Sequence, residues 1–268
     1  MPDLISTTLF AAEGGGGGLQ FPPVENLVKW PAWFFEGTLL EFNKIAFISF
    51  IAMIVPVVLF LIAGRKAKLV PTGLQNTLET SIDFVEKQVV LPAIGPDGMR
   101  YLPMLLSMFF FIWIGNLFEV IPTAHMPANA RMANPLVLAL VAWAMFIGVG
   151  VKHHGLGYFK EALFPPGVPK ALYLLVTPIE LLSTFIIRPF SLAVRLFANM
   201  LAGHILLVTF SVLCITLWSA SILAGVLVLS FPMLVAFTGF EFMVAFLQAF
   251  IFSLLTAVYI GGALHPSH

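Results

Sequence analysis

The longest apolar stretch of this chain constrains its fold more than any other feature. From Ala171 to Gly262, about 90 residues are interrupted only by isolated polar side chains and by no polar loop. A membrane crossing needs about 20 apolar residues, so the stretch could form two extended helices or four short ones. The only plausible turn near its middle is Thr216 to Ser221, because the other prolines and glycines are tolerated inside membrane helices. The sequence predicts two long antiparallel helices, at about 171–215 and 220–262.

The composition is that of a membrane protein. Hydrophobic residues make up 60% of the 268 residues, charged residues only 10%, and the mean hydropathy is +1.01. A soluble domain carries about 25% charged residues, so this chain could not cover a water-facing surface. The strict alternation of a lipid-facing β-barrel is absent. We therefore expect an all-α polytopic membrane protein.

Shorter apolar segments predict the remaining membrane crossings. They lie at about 45–63, 101–121 and 135–151, which brings the number of spans to about five. Leu74 to Val90 carries its apolar residues on one stripe and its acids largely elsewhere, which is typical of an amphipathic surface helix at about 74–90. Residues 1–40 contain the five-glycine run Gly14 to Gly18 and are expected to form a linker and interfacial segment, followed by a single membrane domain, 41–268.

Basic residues predict the orientation in the membrane. They concentrate after the first span (Arg65, Lys66, Lys68) and after the third (Lys152, Lys160, Lys170). Basic loops face the cytoplasm, so we expect the N-terminus outside and, after two long final helices, the C-terminus inside.

Charge and cysteine content exclude several classes of partner. The formal net charge is zero and the sequence has no large basic cluster, which argues against nucleic acid as the main partner. The single cysteine, Cys214, lies in an apolar run and cannot form an intrachain disulfide or a cysteine metal cluster. His153 and His154 have no carboxylate at ligand spacing. We expect no metal site and no cofactor.

Ionisable and amide side chains at predicted membrane depth are the candidate functional residues. An ionisable group in hydrocarbon costs at least about 2.5–3.5 kcal/mol, so such groups mark ion paths or pair with one another. The alternative is a hydrogen bond between helices, which stays open for the asparagines and for a His204–Glu241 pair. A hydrogen bond between helices is a poor explanation for Arg195, because a guanidinium group cannot lose its proton and become neutral. The candidates are Asn116, Glu119, Glu180, Arg188, Arg195, Asn199, His204, Glu241 and Gln248.

Helix geometry places these candidates in pairs across the predicted hairpin. If the chain turns near Thr216 to Ser221, each residue on either helix adds about 1.5 Å of rise away from the turn. Two residues on opposite helices then lie at the same depth in the membrane when their numbers sum to about 444. Arg195 is then level with Gln248, and His204 with Glu241. At about 100° per residue, Arg195 and His204 lie on opposite sides of one helix. Such a helix could present Arg195 to a partner and line a watery cavity with His204.

Three sequence runs together resemble subunit a of the F-type ATP synthases. They are NLFEVIP (116–122), IELLSTFIIRPFSLAVRLFANMLAGH (179–204) and EFMVAFLQAFIFSLLTAVYI (241–260). The resemblance covers roughly residues 40–262. It implies a stator subunit packed against a rotating c-subunit ring, held by a b-subunit stalk with other ATP synthase subunits. Such a subunit moves protons, sits in membrane lipid and is not catalytic on its own.

The resemblance also implies individual roles. Arg195 matches the family's essential arginine, which attracts the deprotonated ring carboxylate and blocks direct leakage between two half-channels. The other matches are Gln248 and Asn199 as neighbours of that arginine, His204, Glu241, Asn116 and Glu119 in the outer half-channel, Glu180 at the cytoplasmic half-channel, and Arg188 in a supporting position.

Three other functions agree less well with the sequence. A secondary ion-coupled transporter would show internal repeats with matching broken helices, and the sequence has neither. An intramembrane hydrolase would carry a motif such as H-E-x-x-H or G-x-S-x-G, and none occurs. A purely structural membrane scaffold would leave Arg195 unexplained.

Overall fold

The structure is a computed structural model that describes residues 42–65, 68–121, 128–155, 157–164, 172–218 and 224–265. The predicted glycine-rich segment 1–40 and residues 219–221 of the predicted turn Thr216–Ser221 lie outside this part of the chain, whereas residues 216–218 of that predicted turn are helical. The α-helices are α1 (Lys44–Arg65), α2 (Leu74–Val85), α3 (Leu91–Ala93), α4 (Leu102–Leu117), α5 (Ala133–His154), α6 (Gly157–Leu163), α7 (Tyr173–Leu182), α8 (Arg188–Trp218) and α9 (Ala224–Leu264).

Within the described residues, five helical stretches are long and apolar enough to cross a membrane. They are Lys44–Arg65, Pro96–Leu117, Ala133–His154, Tyr173–Cys214 and Leu229–Leu264. The predicted all-α polytopic architecture, with two long final helices, is confirmed.

The final hairpin forms the centre of the bundle. α8 packs on α9, both contact α5, and α9 also lies along α4, while α1 packs on the outer side of α4. The core between these helices is aromatic and aliphatic, with Phe109, Phe146, Leu196 and Phe252 almost completely buried. Since α8 and α9 are covered by α4 and α5 on one side only, each keeps one open face, and the functional side chains are divided between the covered and the open faces.

Asparagines organise the first turn of α1 and its contact with α5. The Asn43 side chain caps α1 by accepting a hydrogen bond from the Ala46 amide at 3.1 Å. Asn134, at the start of α5, donates to the Ser49 hydroxyl at 2.6 Å and to the Ala128 carbonyl at 2.8 Å. These bonds tie the short 3₁₀ turn Ala128–Ala130 to α1 and α5.

The second predicted span is longer than the helix that the chain forms. The predicted segment was 101–121, whereas α4 ends at Leu117 and residues 118–120 form a turn. The Glu119 and Val120 amides donate to carbonyls three residues back, on Asn116 and Leu117, which tightens the chain and ends the α-helix. Glu119 therefore lies in a turn directly after the helix.

Two π-helical turns precede prolines and share one cause. Glu86–Val90 comes before Pro92, and Ser183–Ile187 comes before Pro189. Proline has no N–H, and its ring clashes with the carbonyl four residues back. The helix therefore widens in the turn before each proline. The residue before each proline donates its amide hydrogen to the carbonyl five residues back, as in a π-bulge.

The predicted amphipathic helix extends over α2 and the π turn that follows it. Leu78 and Val85 are buried against the bundle, whereas Asp83 and Lys87 are exposed and form an ion pair of 2.7 Å. The hydrogen bond from Lys87 to Asp83, with the negative charge of that carboxylate, raises the pKa of Lys87. One face of this helix is thus built for packing and the other for water or headgroups.

Gly261 allows the end of α9 to approach α3 closely. A β-carbon at this position would overlap the Ala93 backbone carbonyl, whereas one at Gly262 would meet nothing within 4 Å. Because backbone cannot rotate away, we expect Gly261→Val to lower the free energy of unfolding by about 1–3 kcal/mol, the usual cost of overpacking. Gly262→Val is the matched control. Thermal unfolding of the detergent-solubilised protein, followed by tryptophan fluorescence, checks this, and equal melting temperatures for both variants would contradict it.

Candidate functional site

The first part of the site is a single arginine on the open face of α8. Arg195 lies near the centre of the continuous helical stretch Tyr173–Cys214, and its side chain is exposed. No carboxylate among the described residues is within salt-bridge distance of it. Ala198 and Ala202, on the following turns, are also exposed. The face therefore presents one guanidinium beside small apolar side chains, and a closely packed neighbour could reach it.

The second part is a buried acid on α9 that packs against the backbone of α8. A β-carbon built on Gly203 would overlap the Glu241 carboxyl group, so this carboxyl group lies directly against the glycine. His204 is the next residue, and both His204 and Glu241 are 4% exposed. The hairpin thus brings the predicted histidine and acid to one level. His204 is buried while Arg195 is exposed, which agrees with the predicted placement of the two residues on opposite sides of one helix.

Side-chain contacts further along the hairpin have the predicted register. The Cys214 sulfur lies 3.7 Å from the Ser230 hydroxyl, and the rings of Phe210 and Phe237 have centroids 4.9 Å apart. In each pair the two residue numbers sum to about 444, the same sum that places Arg195 level with Gln248. Gln248 is 5% exposed, and its side-chain nitrogen has no hydrogen-bond partner among the described residues. Asn199, one turn after Arg195, is half-buried.

A third group of polar side chains lies where α4 ends. Asn116 is completely buried and accepts a hydrogen bond of 2.7 Å from Asn129, which is also completely buried. Glu119, 2% exposed, lies within electrostatic range of Glu241. The structure therefore brings Asn116 and Glu119, from one end of α4, together with Asn129 and toward Glu241 on α9.

Several polar atoms in this region have no partner among the described residues. They are Asn116 Nδ2, Asn129 Oδ1, Glu119 Oε1 and Glu241 Oε2. An unsatisfied buried polar group costs about 1–3 kcal/mol. Two of the four atoms belong to the asparagine pair and two to the acids Glu119 and Glu241, so this region concentrates buried polar atoms that water could satisfy.

The remaining candidates lie on the other half of the α7–α8 stretch. Glu180 is half-buried on α7, with the π turn Ser183–Ile187 between it and Arg195. Arg188 stacks over the Tyr259 ring at 5.3 Å from the guanidinium carbon to the ring centroid, so its charge is held against α9. The structure keeps Glu180 and Arg188 apart from the His204–Glu241 level.

Comparison with known proteins agrees with this architecture. A family model described as ATP synthase A chain matches residues 46–261, which include every predicted site residue. The chain belongs to the ATP synthase A chain family. With five span-length apolar helices in the part of the chain that the structure describes, this family member is a multi-pass membrane protein.

Individual relatives cover most of the chain. It is 44% identical over 253 residues to ATP synthase subunit a of Frankia alni, an alignment that covers 92% of this chain and 87% of the relative. It is 42% identical over 270 residues to ATP synthase subunit a of Rhodococcus erythropolis, covering 98% and 94%. The match to that of Hyphomonas neptunium is 38% over 233 residues, covering 84% and 88%.

Three residues of this A chain family member were not predicted from the sequence. Asn129 lies between the predicted spans 101–121 and 135–151, where a polar residue is expected and gives no sign of a functional role. Gly203 precedes His204, and only the packing of α9 shows that its missing side chain makes room for Glu241. Trp143 donates its indole N–H to the Thr184 carbonyl at 3.3 Å, a carbonyl that the π turn releases from helical bonding. Polarity at membrane depth was the signal used, and none of the three carries it.

Proposed function

We propose that the chain is the a subunit of an ATP synthase membrane sector, in which it couples proton flow to rotation of a c-subunit ring. One observation carries the proposal: Arg195 is exposed near the middle of a membrane-length helix and has no acid partner among the described residues. A charge at that depth requires a counter-charge. A carboxylate on a neighbouring ring subunit supplies it.

The buried groups divide into two access paths that do not join. Asn116, Glu119, His204 and Glu241 form the outer half-channel, which delivers a proton to a ring carboxylate released from Arg195. Gln248 and Asn199 flank that arginine, and Arg188 supports it from the level of Tyr259. After nearly a full turn of the ring, the proton leaves beside Glu180. A membrane potential of about 100 mV supplies about 2.3 kcal/mol per proton, so leakage past Arg195 would waste the driving force.

The proposal includes an assembly and an orientation. The subunit works with the c-ring, a b-subunit stalk and other ATP synthase subunits, and makes no ATP alone. It lies in the cell inner (plasma) membrane with its N-terminus outside and its C-terminus in the cytoplasm, as the distribution of basic residues indicates. Proton rather than sodium transport rests on His204, because histidine titrates near neutral pH.

Photo-crosslinking tests the proposed ring interface. In a Cys214→Ser background, Ala198→Cys places one thiol on the open face of α8, and Leu61→Cys places one on α1, where Leu61 is 57% exposed. Each variant is labelled with benzophenone maleimide in the assembled complex and irradiated. We expect Ala198→Cys to form an adduct with the ring subunit, identified by mass spectrometry, and Leu61→Cys to form none. Ring adducts from α1 alone would overturn the proposed interface.

A further inference from the structure

We infer that Asn129 is part of the outer proton path, where it binds the water that carries protons toward Glu119 and Glu241. The expected effect of Asn129 on proton transport rests on the proposed function. The presence of water at Asn129 is inferred from the geometry of four polar side chains. Asn129 is contributed by the 3₁₀ turn Ala128–Ala130, between the second and third spans.

The first step is the chemistry of the Asn116–Asn129 pair. The hydrogen bond between them uses Asn129 Nδ2 and Asn116 Oδ1 and leaves Asn129 Oδ1 as an acceptor and Asn116 Nδ2 as a donor. Exchanging oxygen and nitrogen in both amides reverses the bond and again leaves one acceptor and one donor. Water donates and accepts, so it satisfies both atoms, whereas a metal cation would be repelled by the amide N–H.

The second step is the location of the pair. Both asparagines are completely buried, and Glu119 follows Asn116 by one turn, with its amide bonded to the Asn116 carbonyl at 3.0 Å. Glu119 Oε1 and Glu241 Oε2 are also without partners among the described residues. The unpartnered atoms therefore extend from the loop side of α4 toward α9, where Glu241 rests on Gly203.

The third step is that Asn129 is held in place by other residues. Asn134 binds the Ala128 carbonyl, and Ala128 packs with Ile45, Ile48 and Phe118 in a small apolar cluster. Adjacent residues of one turn thus face different surroundings, Ala128 apolar and Asn129 polar. The contacts of Ala128 fasten the turn to α1 and α5, and the Asn129 side chain, which is bonded to Asn116, keeps Oδ1 as an acceptor for water.

Thiol accessibility tests for water at this position without depending on proton transport. In the Cys214→Ser background, Asn129→Cys and Ala128→Cys place thiols on neighbouring residues that are both completely buried. The probe is methyl methanethiosulfonate, applied to the assembled complex. We expect Asn129→Cys to react at least about tenfold faster than Ala128→Cys, since only a hydrated thiol ionises and reacts. Equal rates would overturn the inference while leaving the proposed function, tested at Arg195, intact.

Proton flow tests the consequence. Asn129→Leu keeps the side-chain size and removes both polar atoms, whereas Asn129→Ser restores a group that donates and accepts. In reconstituted complexes with normal subunit content, we expect Leu to slow proton-driven ATP synthesis about tenfold and Ser to restore most of the rate. The effect is smaller than the change of about 10²- to 10⁴-fold typical of a group that transfers the proton itself, because Asn129 acts through a water molecule. A solvent deuterium isotope effect that increases in the Leu variant shows that proton delivery has become limiting. An unchanged rate in Asn129→Leu would remove Asn129 from the path.

Discussion

Arg195→Ala is expected to assemble into the complex and to reduce proton-driven ATP synthesis to background. The side chain is exposed, so its truncation leaves no cavity in the core of the chain. In the proposed mechanism the loss is functional, because no group in the variant attracts the deprotonated ring carboxylate or separates the two access paths. ATP synthesis by proteoliposomes under an imposed proton gradient, with and without sodium, checks this result.

Arg188→Ala is the matched control for Arg195→Ala. It removes an equal charge from the same helix two turns earlier, where the guanidinium stacks on Tyr259. Its expected cost is the cation–π contact, about 0.5–2 kcal/mol, with coupled synthesis reduced but measurable. Synthesis at the normal rate in Arg195→Ala, or equal losses in both variants, would refute the special role of Arg195.

Gly203→Val is expected to impair proton delivery by displacing the Glu241 carboxyl group. The added side chain would occupy the volume that this carboxyl group now fills. The acid can move because it ends a flexible side chain, so the protein folds with the acid misplaced. A displacement of about 1 Å in a reacting group costs up to about 100-fold in rate, and we expect a decrease of about 10- to 100-fold in proton-driven ATP synthesis.

Gly239→Val provides the comparison for this second variant. Gly239 lies two residues before Glu241 on the same helix, is exposed, and would meet nothing within 4 Å if it carried a β-carbon. Its variant adds the same side chain to a membrane helix without touching the acid, so synthesis should stay near normal. Equal rates in the two valine variants, at equal amounts of assembled complex, would show that the contact between Gly203 and Glu241 has no part in transport.

The membrane class and the level of most site residues could be predicted because both depend on distance along the chain. Apolar runs of sufficient length must cross a membrane as helices, and a fixed rise per residue sets depth once a turn is located. Glu241 accordingly lies against Gly203, beside His204, and Cys214 lies against Ser230. The end of α4 was less predictable, because the apolar run continues past the last helical residue. Glu119 lies in the turn that follows the helix, although the run gave no sign of a turn there.

The sequence by itself determined an all-helical membrane protein with an arginine halfway along one of its longest helices. Only the tertiary structure decided which helix faces are covered: Arg195 is open, Gln248 and Glu241 are buried, and Asn129 is joined to Asn116. The physical reason is that rise and hydropathy are local properties of a helix. Burial and hydrogen bonding depend instead on neighbouring helices that are distant in sequence, whose relative placement no local pattern encodes.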